Sequence, residues 1–403
     1  MGNICNSEQK DELLSNQLKN TYFSENEDQP YAPIKQIISN TIDRENNLEI
    51  GVGFDKTEII NKEICIQLWQ GLLGNSESHK QGQKVELQKA LYNIHKKNPE
   101  RFEEVLEQVG GGQIRWFIWK TLLFSCIKYK HQAMKIRQTE RLSIVERDVK
   151  RTFYNHPFFQ LESQSYQLLS QLLNLIDATF RGIGYTQGMN FILAFMLMQS
   201  GGNIEQAWPA SFLMFYCSKW MLYAIYMPEF PLMKLICCVT KEILKEQDCQ
   251  LYKHYMQLEI DDSFLLQKWI FTLYLYNIPK QACLHFWDII FQKGILIMAS
   301  INCQLLISFK SSIMNFNNSI EFLEYTQDQQ NNYCQNYKQI KSNALKTFPS
   351  NKIILNCIKS MKDQYKKQQL AYEYFKLLQV NFEKSNFEQK YQNWMENNLK
   401  QFN

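Results

Sequence analysis

ESQSYQLLSQLLNLIDATF, residues 162–180, places Leu169, Leu172, Leu173, Ile176 and Phe180 at spacings of three and four. At 3.6 residues per turn these side chains form one apolar stripe, whereas in a strand they would be divided between two faces. Neither Pro nor Gly interrupts the run. The stretch therefore predicts an amphipathic helix that buries one face against other helices.

The same spacing recurs on both sides. IINKEICIQLWQGLL (59–73) and VELQKALYNIHKKNPERFEEVLEQV (85–109) carry it, and GGG (110–112) ends the second run. IRWFIWKTLLFSCI (114–127) is largely apolar and predicts a buried segment. EQAWPASFLMFYCSKW (205–220), FPLMKLICCVTKEILKEQ (230–247) and the long run 264–309 read as further helices, set apart by Pro or Gly. With 15 Gly and 9 Pro in 403 residues, turns are sparse, and no period-two alternation stands out. The predicted fold class is all-α, many helices packed on each other.

The ends differ from this middle. Residues 1–56 show no sustained period and include NEDQPYAPIK (26–35), which predicts a flexible arm; residues 57–104 read as a helical lead-in. The first 50 residues hold four Lys or Arg against nine Asp or Glu, while residues 310–403 hold thirteen against eight, so an acidic arm faces a basic tail. Residues 326–403, rich in Gln, Asn, Lys and Tyr, are expected to continue as helix, more polar and less tightly packed.

Composition also narrows function. A formal charge of +4 is too mild for a nucleic-acid binder, which carries a strong basic stripe. Eleven cysteines without a CxxC pair, and six histidines at no ligand spacing, support neither a zinc site nor a disulfide framework, so no metal is expected. Cys126, Cys217, Cys283 and Cys303 fall on apolar faces and read as core thiols. The densest apolar stretch, FILAFMLM (191–198), is too short to span a membrane.

The chain begins MGNICNS, which puts Gly2 where N-myristoylation requires it, with Cys5 three positions on. Asn6 stands where Ser or Thr is preferred, so the match is partial. The surrounding arm is acidic and a single myristoyl chain binds membranes only marginally, so a tether would need a second chain on Cys5. The expectation is a cytoplasmic protein, peripheral on endomembranes or plasma membrane if acylated.

Two short segments carry chemistry. In VERDVKRTF (145–153), Asp148 and Arg151 share a helix face at i, i+3; by itself that is a surface ion pair worth about 1 kcal/mol or less. In RGIGYTQGMN (181–190), the glycines at 182, 184 and 188 do not match GxGxxG and no strand precedes them, which excludes a dinucleotide loop. By itself that segment is a tight connection between helices. His156, in NHPFF, has no second base or nucleophile in register and reads as a loop histidine.

Together, V-x-x-D-x-x-R-T-F followed some thirty residues later by G-Y-T-Q-G-M-N resembles the TBC domain family, the GTPase-activating proteins for Rab GTPases. QVGGGQIRWFIWKTL (108–122), with Arg115 and Trp119, and QKWIFTLYLYNIPKQACLHFWDIIFQKG (267–294) extend the likeness and place the domain at about 105–325. The resemblance implies two residues offered in trans: Arg151 to stabilise charge on the transferring phosphoryl, and Gln187 to position the attacking water. Asp148 and Thr152 would support the arginine, and Tyr185, Gly188, Met189 and Asn190 would shape the loop around the glutamine. The partner implied is a Rab-family GTPase in vesicle trafficking. It would carry GTP and Mg²⁺, the protein having no cofactor and no independent catalytic centre of its own. The alternative is a non-catalytic scaffold that binds a GTPase or another partner at a membrane. Tyr154 stands where the family usually has proline, which predicts a helix running slightly past Arg151.

Overall fold

The computed structural model describes residues 113–124, 132–159, 163–260, 268–276, 278–328, 336–383 and 387–401, with residues 95, 102, 103 and 106. Gly2, Cys5 and Cys126 lie outside the described residues, as do nearly all of the arm and the lead-in. Among the described residues there is no strand, and no helix is long and apolar enough to cross a membrane.

In chain order the helices are α1 (Gln113–Phe124), α2 (Ser143–Arg151), α3 (Gln164–Thr179), α4 (Met189–Gln199), α5 (Ile204–Tyr216), α6 (Leu222–Tyr226), α7 (Pro231–Gln247) and α8 (Cys249–Gln257). They continue as α9 (Lys280–Lys293), α10 (Ile297–Ser308), α11 (Lys310–Ile313), α12 (Ser319–Asp328), α13 (Tyr337–Lys346), α14 (Asn351–Gln364), α15 (Gln369–Glu383) and α16 (Phe387–Gln401). The stripe of α3 is buried as its spacing requires: Leu169, Leu172, Leu173, Ile176 and Phe180 are each fully enclosed.

These elements form two compact units, and α3, α4 and α5 each contribute residues to both. The first unit takes residues up to 138, 153–172 and 196–213. There α1 buries Trp116, Ile118, Trp119, Leu122 and Leu123. Gln206 receives two donors from α1, the indole N–H of Trp116 at 2.9 Å and the Lys120 ammonium at 2.6 Å. Arg115 is fully buried and donates from Nη2 to the Leu106 carbonyl at 2.7 Å, so its place is structural.

The second unit takes residues 139–152, 173–195 and 214–403. Its centre is α7, which packs on α6, α8, α10 and α14. Every residue from Ile297 to Leu306 of α10 is buried, as expected of a helix apolar on all sides. Cys217, Cys283 and Cys303 are core residues here.

The C-terminal segment folds as helices that are more often exposed than those of the middle, as expected, yet they carry buried residues of their own. Tyr374, Phe375 and Leu378 of α15, and Tyr391 and Met395 of α16, are fully buried. Glu396 accepts from the Tyr216 hydroxyl at 2.7 Å, and Glu388 accepts from Ser218. Polar residues dilute the composition of this segment, yet Tyr374 with Leu378 and Tyr391 with Met395, at i, i+4, suffice to make apolar faces. Phe375→Ala should therefore cost about 3–5 kcal/mol in urea unfolding. A loss below about 1 kcal/mol, the size usual for surface changes, would show that α15 is not part of the core.

Candidate functional site

α2 sorts its side chains by face. Val145, Asp148 and Val149 point inward and are buried, while Ile144, Arg147, Lys150 and Arg151 are exposed. The start of the helix is tied down by Asn174 of α3, whose Oδ1 accepts from the Leu142 N–H at 2.9 Å.

A buried carboxylate must be paired and hydrogen-bonded, because desolvation of an unsatisfied charge costs several kcal/mol. Asp148 meets this demand with both oxygens. Oδ1 accepts from Arg151 Nη2 at 2.7 Å, and Oδ2 accepts from the Tyr185 hydroxyl at 2.6 Å. Burial, and then the bond to Asp148, raise the Tyr185 pKa far above its ordinary value, so the phenol stays a donor at any physiological pH. The Arg151 side chain is 54% exposed against 5% for Asp148. One end of the guanidinium is anchored, while the side chain stays half in solvent with further N–H donors to offer.

The helix ends directly after the arginine, contrary to the extension expected from Tyr154. Thr152 stops it. Its N–H donates to the Val149 carbonyl at 3.1 Å and its hydroxyl to the Asp148 carbonyl at 2.6 Å, and Phe153 follows at a φ of 46°. A proline is not needed to break a helix whose last carbonyls are already taken and whose next residue is left-handed. Thr152 also accepts from Asn190 Nδ2 at 2.6 Å, which joins the end of α2 to the start of α4. Tyr154 is 68% exposed, and Pro157 opens a 3₁₀ turn, Pro157–Phe159. His156 is buried there, its Nδ1 accepting from the Phe158 N–H at 3.1 Å.

The segment between α3 and α4 is held along its backbone. Phe180 O accepts from Ile183 and Gly184, Tyr185 N–H donates to Asp177 Oδ1 at 2.8 Å, and Gly188 N–H donates to Asn190 Oδ1 at 2.9 Å. Thr186 N–H points at the Met189 sulfur at 3.4 Å. Gly188 has a φ of 112°, and a Cβ built there would lie 2.8 Å from the Phe271 carbonyl oxygen. Glycine is required twice over, for conformation and for space. Tyr185, Gly188, Met189 and Asn190 are buried, whereas Gln187 among them is exposed.

The structure thus brings Asp148, Arg151, Thr152, Tyr185, Gly188 and Asn190 into one network, with Met189 bonded beside it to Thr186; Arg151, paired to Asp148, and Gln187 present exposed side chains from it. Sequence reasoning missed three members. Asp177 sits beside the apolar stripe of α3 and carries no periodic signal. Phe271 acts through its carbonyl, and Tyr226, which donates to that carbonyl at 2.5 Å, reads in sequence as one more core aromatic. Among the described residues, no three His, Cys, Asp or Glu side chains gather as metal ligands would.

The class to which this all-helical body belongs is identified by comparison with known proteins. The family described as the Rab-GTPase-TBC domain matches residues 112–314, a little over half the chain. The chain belongs to that family. It is similar to TBC1 domain family member 4 of Mus musculus, 29% identical over 188 residues that cover 44% of this chain and 14% of that protein. It is also similar to GTPase-activating protein GYP5 of Eremothecium gossypii, 26% identical over 276 residues that cover 67% of this chain and 30% of that protein. The chain thus spans less than a third of the length of either relative. Its fold matches the crystal structure of the Chlamydomonas flagellar RabGAP TBC domain with a TM-score of 0.52 at 16% identity, over 82% of this chain and 99% of that one.

Gly188→Ala should lower the free energy of unfolding by about 1–3 kcal/mol, the usual cost of a strained backbone position. A thermal or urea midpoint equal to wild type would mean that Gly188 is not seated on Phe271.

Proposed function

We propose that this protein accelerates GTP hydrolysis by a Rab-family GTPase, to which it lends Arg151 and Gln187 in trans. The observation that carries this reading is the buried Asp148 carboxylate, which grips an exposed arginine with one oxygen and the buried tyrosine of the glutamine segment with the other. Membership of the Rab-GTPase-TBC domain family and the likeness to a GTPase-activating protein, GYP5, support it.

The chemistry suits the residues. In hydrolysis, water adds to the γ-phosphorus as the bond to the β,γ-bridging oxygen breaks, and negative charge builds on that oxygen and on the γ-phosphoryl oxygens. An arginine supplied there contributes about 10³ to 10⁵ in rate, because its permanently charged planar fork can meet two oxygens. Asp148 keeps the fork in one orientation before the partner arrives, which lowers the ordering cost on docking. Gln187 has one acceptor and one donor group on a single amide, so it can receive a hydrogen bond from the attacking water and hold it in line. GTP and Mg²⁺ enter with the GTPase, as the partner's own ligands. Arg147 and Lys150, exposed on the same arc of α2, add positive charge toward that triphosphate.

A scaffold that only binds a GTPase has no need of an arginine aimed from a buried acid beside a glutamine on a fixed loop. With a Rab found by screening a purified panel, Arg151→Lys and Gln187→Ala should each cut stimulated hydrolysis by about a hundredfold or more, with helical content unchanged. No stimulation of any Rab, or variants equal to wild type, would leave the scaffold reading in its place.

Gly2 and Cys5 would place this activity at a membrane serving vesicle traffic. Labelling with a myristate analogue should mark the protein and be abolished in Gly2→Ala; an unlabelled wild type removes the tether.

A further inference from the structure

α6 is five residues long and wholly buried, and its two ends contact Phe180 and Phe271, residues that in turn hold the glutamine segment. At the near end, Tyr223 meets Phe180, with ring centroids 5.9 Å apart, and the Phe180 carbonyl receives the Ile183 and Gly184 N–H groups that open the segment. At the far end, Tyr226 donates its hydroxyl to the Phe271 carbonyl at 2.5 Å and packs on the Phe271 ring at 5.3 Å. That carbonyl is the surface on which Gly188 is seated. Burial raises the Tyr226 pKa far above its ordinary value, so the hydroxyl remains a donor.

We infer that Tyr226 is a positioning residue for Gln187. Its hydroxyl fixes the Phe271 carbonyl, the carbonyl fixes Gly188, and the peptide on the C-terminal side of Gln187 is thereby set. The inference rests on the reading of Gln187 as the water-positioning group.

The same element is seated on the C-terminal helices. Trp394 of α16 packs edge-on to Tyr223 at 5.9 Å, and the Tyr374 hydroxyl of α15 points at the sulfur of Met221, the residue before α6, at 3.6 Å. Residues 369–401 lie beyond the stretch 112–314 that matches the family, and through α6 they bear on the glutamine.

Tyr226→Phe keeps the ring and removes only the donor, so it tests the strut without opening a cavity. With a Rab from the screen, kcat and KM for stimulated hydrolysis would be measured for wild type, Tyr226→Phe, Gln187→Ala and the double variant, each checked by circular dichroism. Loss of one buried hydrogen bond predicts kcat lower by about tenfold in Tyr226→Phe, with KM within about twofold of wild type. In the Gln187→Ala background the same change should cost nothing further, because the residue it positions is already gone. An equal loss in both backgrounds, or no loss from Tyr226→Phe where Gln187→Ala is impaired, overturns the strut and leaves the GTPase-activating reading intact. If Gln187→Ala matches wild type, the glutamine assignment itself falls and the strut with it.

Discussion

Burying a carboxylate is the constraint from which the site follows. Asp148 has almost no contact with water, so both of its oxygens must find donors within the protein, and a helix of nine residues offers few. One donor comes from a turn further along the same helix, the other from a tyrosine 37 residues away in sequence. The first choice fixes one end of the Arg151 guanidinium. The second ties α2 to the segment that holds Gln187. A solvent-exposed acid at this position would pair with Arg151 as well, but it would be equally content with water, and the link between the two segments would be lost.

The parts of this design visible in the sequence are those whose signal is local. The stripe from Leu169 to Phe180 fixes a helix because five apolar side chains at three and four spacing have one solution. Asp148 and Arg151 are legible as a pair for the same reason of spacing. What turned that pair from surface decoration into a site was the resemblance carried jointly with GYTQGMN, since no physical rule applied to VERDVKRTF alone separates the two readings. The neighbours that act over long range were not legible. Asp177 accepts a backbone N–H, Phe271 offers a backbone carbonyl, and neither property depends on a recognisable side-chain pattern. The polar composition of residues 326–403 marks helices with few buried positions, but which positions those are was hidden, because an average over a helix conceals a face that only two or three residues must supply.

Tyr154 shows how one boundary can be specified by more than one means. A proline after the arginine would end α2 by removing an N–H. Here Thr152 ends it by occupying the carbonyls of Asp148 and Val149, and the same hydroxyl accepts from Asn190. Thr152 is thus a stop and a tie at once, which is why it is fully buried at the end of a helix whose neighbouring arginine is half in solvent.

On the role proposed for Gln187, the segment around it resolves a conflict common to residues that act on a partner. The side chain must be free to reach outward, yet a free backbone would multiply its conformations and dilute the productive one. Tyr185, two residues before Gln187, is bonded through both its N–H and its hydroxyl; the Thr186 carbonyl accepts from the Met189 N–H at 3.2 Å, and Gly188 is bonded through its N–H and seated against a carbonyl, so the two peptides flanking Gln187 are held while its side chain is exposed. Those restraints come from residues of α2, α3 and α4 and from the Phe271 carbonyl, to which Tyr226 of α6 donates; on the proposed strut, the precision of the glutamine would belong to the second compact unit as a whole, its C-terminal helices included. Sequence drift far from either motif would then alter the site, wherever it loosened the packing of α6.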